Sequence, residues 1–326
     1  MVPFPLPIRP RNNVSDDVQE YIGKLTKNIS RVVLGKQDVI KQCLVALLAG
    51  EHVLLEDVPG VGKTLLGRAI AKSVEGMFRR IQFTPDLLPA DITGSNFYNS
   101  KTQEFLFAQG PIFTNILLAD EINRTTPRTQ SAMLEAMDEK QVSIDGKTYP
   151  IPKPFMVIAT ENPMEFEGTY PLPESQLDRF LLRISVGYPD RDSELEVFRS
   201  HRIGQPIDQL EPVITCDQVL LIQDAVKQVK INDAIYRYIL DIVEVTRHSD
   251  ELYVGVSTRG AIAFSHAAQA FALLEGRDYV VPDDIKALAV PVLSHRVMAK
   301  TYSHGNLRDS VEGLIAHFLD MVPVPT

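Results

Sequence analysis

Cysteine is scarce in this chain: Cys43 and Cys216 are the only two in 326 residues. They lie far apart and lack metal-ligand spacing, so neither a disulfide framework nor a thiolate metal site is expected, and a reduced, cytoplasmic setting fits. Cys43 sits in an apolar helical stretch and reads as core rather than as a reactive thiol. Long apolar runs are missing too. The longest, such as Leu44 to Ala49, are too short to cross a bilayer, so membrane association would need a partner. Basic residues are outnumbered, 33 Lys and Arg against 42 Asp and Glu, which leaves a net charge of −9. That argues against a strong electrostatic grip on nucleic acid. His266, His295 and His304 form no i,i+4 pair and have no cysteines beside them, so solvated or core histidines are expected rather than zinc ligands. His201 and His248 read as surface residues. No nucleophile elbow, Cys–His dyad, internal repeat or low-complexity tract stands out. Val2 to Pro10 has four prolines and no long apolar run, and reads as an extended arm rather than a signal peptide.

What is present describes a folded α/β protein. Apolar residues make up 44% of the chain, enough to build a core, and the length favours two domains. Val18, Ile22, Leu25 and Ile29 have helical spacing, and a second helix is expected over about Lys36 to Ala49. Apolar strand candidates are Val53–Leu55, Phe78–Phe83, Asn115–Ala119, Phe155–Thr160 and Leu181–Val186. Helices between most of them imply a parallel sheet covered on both faces. Two insertions interrupt the alternation, at about Asp91–Gly110 and Gln141–Pro152. In the second, Asp145-Gly146 between Val142-Ser143-Ile144 and Lys147-Thr148-Tyr149 is a two-residue hairpin signal. After about Tyr188-Pro189-Asp190 strand signals cease and helical stretches follow. The expected division is an arm over 1–15, an αβα core over 16–189 and an α-helical domain over 190–326.

The chemistry begins at Asp57-Val58-Pro59-Gly60-Val61-Gly62-Lys63-Thr64, between the first strand and a helix. That is the setting of a phosphate-binding P-loop. Glycines let backbone N–H groups approach phosphate oxygens, and the helix N-terminus adds partial positive charge. Lys63 can reach the β- and γ-phosphates, and Thr64 can ligate magnesium. Asp57 stands where the GxxxxGK[ST] pattern has its first glycine, so the loop has to accommodate a carboxylate.

Downstream, Asn115 to Ala119 ends in Asp120-Glu121, which resembles a Walker B segment. Asp120 suits magnesium, and Glu121 suits polarising the water that attacks the γ-phosphate. Asn162 follows the strand Phe155–Thr160, at the strand ends where such sheets bind ligands. Arg179 and Arg259 are further candidates for phosphate contact, because guanidinium is planar and permanently charged.

Together these segments resemble the AAA+ ATPases, and within them the MoxR family. The resemblance runs from Val32-Val33-Leu34-Gly35-Lys36-Gln37 to Pro291-Val292-Leu293-Ser294-His295-Arg296. Its most specific parts are Asp120-Glu121-Ile122-Asn123-Arg124 and Gly168-Thr169-Tyr170-Pro171-Leu172-Pro173-Glu174-Ser175-Gln176-Leu177-Asp178-Arg179-Phe180. It implies an αβα core with a helical lid, ATP as substrate and Mg2+ as cofactor. The implied ATP contacts are Gly35 near the adenine and Pro59, Gly60, Val61, Gly62, Lys63, Thr64 and Leu65 around the phosphates. Thr64 and Asp120 would hold the metal, with Glu121, Lys63 and Asn162, as sensor 1, at the reacting phosphate. Arg259 would be sensor 2. Arg179 resembles an arginine finger reaching a neighbouring subunit, with Arg124 and Arg128 as competitors, so a ring, a hexamer, is the expected active form. Glu161 stands where glutamine is common in the family.

The function the resemblance implies is that of a chaperone-like ATPase acting on partner proteins, among them proteins with von Willebrand factor A domains. Three other readings compete. A DNA motor or loader is disfavoured by the acidic balance and by hairpins whose only basic residues are Lys101 and Lys147. A non-hydrolysing nucleotide switch is disfavoured by the intact Asp120-Glu121 pair. A magnesium-chelatase-like subunit would need a separate porphyrin-handling partner.

Overall fold

The computed structural model describes residues 14–58, 60–162, 168–201, 206–300 and 307–325. The expected proline-rich arm lies almost wholly outside them. Val18, Ile22, Leu25 and Ile29 form the buried stripe of α1 (Val14–Ser30), as their spacing requires. The next helix, α2 (Gln37–Ala49), is buried nearly all round from Cys43 to Leu48, with Val39 and Ile40 buried as well. A helix of that composition must be covered on opposite sides.

The core continues through β1 (Val53–Glu56), α3 (Lys63–Ser73), β2 (Val74–Glu75), β3 (Phe78–Gln82) and the short α4 (Pro89–Thr93). A hairpin of β4 (Gly94–Asn99) and β5 (Glu104–Gln109) precedes β6 (Ile116–Asp120) and α5 (Pro127–Glu139). A second hairpin, β7 (Gln141–Ile144) and β8 (Lys147–Pro150), turns at Asp145-Gly146 as its sequence signals. Then come β9 (Met156–Glu161), α6 (Glu174–Leu177) and β10 (Leu182–Ile184).

Five strands pair in parallel in the order β10-β1-β9-β6-β3. In the inner strands β1, β9 and β6, alternation between two covered faces explains the apolar runs. Ile116 and Leu118 of β6, with Met156 and Ile158 of β9, face the side covered by α1, α2 and α3. Leu117, Ala119, Val157 and Ala159 face the side covered by Met133, Leu134 and Met137 of α5. With both faces of these inner strands covered, polar residues come only at their ends, whereas the edge strands β3 and β10 carry Arg79, Arg80 and Arg183 within them.

The second part comprises α7 (Arg191–His201), β11 (Ile214–Thr215), α8 (Cys216–Val226), α9 (Asp233–His248), β12 (Leu252–Val254), α10 (Thr258–Leu274), α11 (Pro282–Leu293), β13 (Met298–Ala299) and α12 (Leu307–Met321). Three of these helices start at side-chain caps. Thr215, Asn232 and Ser257 accept from the backbone N–H groups of Gln218, Ile235 and Gly260. The expectation of an entirely strand-free region needs one correction. β11 pairs with β2 of the core, and β12 pairs with β13. These strands are two or three residues long, too short for an alternation to register in sequence. Buried residues of α8 through α12 join those of α1, α2 and α3 in one apolar cluster.

Candidate functional site

The functional residues converge where the parallel strands end. A cavity of about 280 Å³ is lined by Gly60, Gly62, Lys63, Thr64, Asp120, Glu121 and Asn162. The P-loop leaves β1, and α3 starts at Lys63 with Gly62 in the left-handed region at its cap. Gly60 and Gly62 have φ of +89° and +96°, and nothing lies within 4 Å of where a Cβ would project. A side chain at either would be strained and would fill the cradle. Open backbone, a helix N-terminus and a lysine fit a nucleotide's phosphates. Val61 and Leu65 lean against the apolar core, so backbone N–H groups are what they offer. Pro59 lies outside the described residues.

Lys63 Nζ donates to the carbonyls of Asp57 at 2.7 Å and Glu161 at 3.1 Å. Burial pulls its ammonium below the usual lysine range, and nearby Asp120, Asp57, Glu121 and Glu161 oppose that pull. The lysine is thus held across the ends of two neighbouring strands, β1 and β9.

Asp120 and Glu121 are held differently. Asp120 Oδ1 accepts from the Thr160 hydroxyl at 2.6 Å, and Oδ2 accepts from Arg80 Nη2 at 2.7 Å. Thr160 Oγ1 in turn accepts the Glu121 N–H at 2.9 Å. Glu121 itself is in the left-handed region, φ +58°, which swings its side chain off the strand line. Its Oε2 accepts from Gln82 Nε2 at 2.8 Å and Arg124 Nη1 at 3.0 Å. Thr64 and Asp120 supply the oxygen ligands that magnesium prefers.

Thr160, Arg80 and Gln82 belong to no motif in the sequence. Arg80 and Gln82 share one face of edge strand β3, two residues apart, where Arg80 Nη2 donates to Gln82 Oε1 at 2.9 Å and both reach the end of neighbouring β6. Strand alternation in Phe78–Phe83 was the available signal.

Glu161 lies beneath the loop rather than in the cavity lining. In register with Glu56 on β1, it is pushed up to about 7 by burial first and by Glu56 second, with Arg183 and Lys63 opposing. Arg183 bridges Glu56 at 3.4 Å. Because the folded-state value is raised, the stability linked to this group is full below the ordinary glutamate range and lost as pH rises through about 7. Glu161→Gln removes the titration. Its thermal midpoint should match wild type near pH 4 and exceed it by pH 8.5, by the equivalent of about 3 kcal/mol. Midpoints measured across that pH range that stay parallel would refute this.

The structure does not bring the candidate arginines Arg179 and Arg259 to the cavity lining. Arg179 Nη1 donates to Leu134 O at 2.6 Å and pairs with Asp138 Oδ2 at 3.1 Å. Arg259, in the first turn of α10, donates to Asp138 Oδ1 at 2.8 Å. One carboxylate at the end of α5 therefore holds both. Buried Arg296 braces the turn before β10, binding Asp178 Oδ1 at 2.7 Å and the Phe180 and Leu181 carbonyls. Arg124 sits on Glu121 and Arg128 is exposed. Gly35 approaches α7: a Cβ there would lie 2.4 Å from Ser193 Oγ. His295 is a core histidine bonded to Phe180 O at 2.9 Å, and His248 is exposed. The side chain of His201, and His304 entirely, fall outside the described residues.

Comparison with known proteins agrees with this geometry. Residues 52–182 match the model of the ATPase family associated with various cellular activities (AAA), and residues 244–312 match an AAA lid domain. Chaperone MoxR1 of Mycobacterium tuberculosis is 41% identical, over 91% of this chain and 80% of its own. The chain belongs to the MoxR family of AAA+ ATPases. The YeaC protein of Bacillus subtilis is 54% identical, over 87% of this chain and 88% of its own. A crystal structure of a Cytophaga hutchinsonii protein superposes with a TM-score of 0.85 at 39% identity, covering 96% of this chain and 97% of that one. The MoxR-family fold, an αβα core with a helical lid, is the one described above.

Proposed function

We propose that this MoxR-family chain is a magnesium-dependent ATP hydrolase that works as a ring and remodels or activates partner proteins. The observation that carries the hydrolase reading is the convergence of Lys63, Thr64, Asp120, Glu121 and Asn162 on one cavity. Magnesium, when bound, neutralises phosphate charge. Glu121 orients and deprotonates the attacking water. Lys63 and the loop N–H groups hold the phosphates, and Asn162 meets the reacting end.

The arginines support the ring reading. Arg179 and Arg259 share Asp138 and are absent from the cavity lining of their own protomer. A single face would present both to a neighbour, so Arg259 joins Arg179 in a contact across the subunit boundary. Six subunits are the family-based expectation.

The client-facing part is the hairpin pair. Phe105 is 73% exposed at the β4–β5 end, beside exposed Tyr98, Phe97 and Leu106. Such apolar surface suits a protein client, here one with a von Willebrand factor A domain, better than a polyanion. The Phe107–Tyr149 stack, centroids 4.2 Å apart, locks the two hairpins together. No helix among the described residues is long and apolar enough to cross a membrane.

Specific ATPase activity measured against protein concentration, with magnesium and ATP saturating, tests the reading. A rise with concentration is expected, because sites are completed between subunits. Zero turnover at every concentration would sink the hydrolase reading and favour a nucleotide switch.

A further inference from the structure

The carboxylate at the head of the P-loop has a set of partners that phosphate binding does not require. Asp57 Oδ1 accepts the N–H of Val58 at 2.7 Å. Its Oδ2 accepts the Gly187 N–H at 2.5 Å and the Ser185 hydroxyl at 2.9 Å. Partial burial pushes the Asp57 carboxyl up, but the donors Gly187, Ser185 and Val58, with Lys63, outweigh it and hold it below the ordinary aspartate range. The group is an anion with three donors on two oxygens.

Those donors lie at the joint between core and lid. Ser185 follows β10, and Gly187 turns the chain with φ +63° toward α7. Next along, the Tyr188 carbonyl accepts from Lys36 Nζ at 2.5 Å. Asp190 then caps α7, accepting from the N–H groups of Asp192 and Ser193. The Asp57 main chain binds the other way, into the site: its N–H donates to Glu161 O at 3.2 Å and its C=O accepts from Lys63 Nζ at 2.7 Å. One residue therefore touches the catalytic lysine with its backbone and the core–lid joint with its side chain.

We infer that Asp57 is a positioning residue that ties the phosphate loop to the core–lid joint, so that the chain from Ser185 to Gly187 follows the loop when a nucleoside triphosphate occupies it. This rests on the ATPase reading above. A glycine at position 57 satisfies the ordinary loop pattern but has no side chain to reach Ser185 or Gly187. An asparagine keeps the size but turns an amide donor toward an N–H or a hydroxyl donor.

The test uses the full chain as wild type, Asp57→Gly, Ser185→Ala and the double variant. Three quantities are measured: affinity for a fluorescent ATP analogue with magnesium, kcat, and hydrogen exchange of the amides from Ser185 to Asp190 with and without that analogue. In wild type, nucleotide should slow exchange across this segment. In Asp57→Gly, affinity should stay within about threefold while kcat falls about tenfold and the nucleotide-dependent protection disappears. The double variant should be no worse than Asp57→Gly, since both changes cut one tether. Nucleotide-dependent protection that survives in Asp57→Gly overturns the coupling and leaves the ATPase reading standing. Loss of nucleotide affinity in that variant overturns it too, by placing Asp57 in the phosphate cradle. If wild type neither binds nor hydrolyses ATP, the ATPase reading fails and the proposal falls with it.

Discussion

Replacing Glu121 with glutamine is expected to lower kcat by about 10²- to 10⁴-fold while leaving ATP affinity within about threefold. The reason is local. The Glu121 side chain is positioned by the left-handed backbone at 121, by Gln82 and by Arg124, and not by its own charge alone. A glutamine has the same length and can still accept through its carbonyl oxygen, so the surrounding geometry persists. What it loses is the ability to take a proton from water or to polarise it strongly. Lys63, the loop and Thr64 are untouched, so ground-state binding has no reason to change. Single-turnover hydrolysis and equilibrium binding measured on the same preparation check both halves. A kcat within tenfold of wild type would remove Glu121 from the water-activating role.

Arg179→Ala is expected to cost at least about 10³-fold in kcat, the scale of an arginine supplied across an interface. A loss of fold is not expected, because Arg259 remains on Asp138 after the change. The decisive form is a mixture. Arg179→Ala has an intact Glu121 and lacks the finger; Glu121→Gln has an intact finger and lacks the base. Each alone is nearly inactive. Mixed in one ring, a site made by the first protein's P-loop and the second protein's arginine is complete. In a head-to-tail ring, random 1:1 mixing should restore roughly a quarter of wild-type activity. Recovery above the sum of the separate variants would establish the role in trans. No recovery, with mixed rings demonstrated by native mass measurement, would return Arg179 to its own protomer.

The phosphate cradle was readable because its residues are nearly contiguous. Gly60 to Thr64 run from one loop into the first turn of α3, and Asp120-Glu121 closes one strand. In sequence Thr160 is simply the end of an apolar strand, and its role depends on the register between β6 and β9, which pairs Ala119 with Ala159 and places Thr160 beside Asp120. Register between parallel strands joined by long crossovers leaves little local trace in sequence. Arg259 shows the same limit at longer range. Its partner Asp138 lies 121 positions away, and only the docking of lid on core brings them together. The motif around Arg259 was legible; the company it keeps was not. Asp57 stood out as a departure from pattern, but the donors that accommodate it are 128 and 130 positions further on.

The burial of α2 nearly all round has a consequence for how this molecule comes apart. One side of the helix packs toward the sheet, and α10 lies against it from the lid. Neither part keeps a complete interior without the other, because the wall between them is shared. Chain direction changes at Gly187, but unfolding is expected to remain one cooperative transition across that point. A fragment cut at that point would carry a raw apolar face instead of a domain surface.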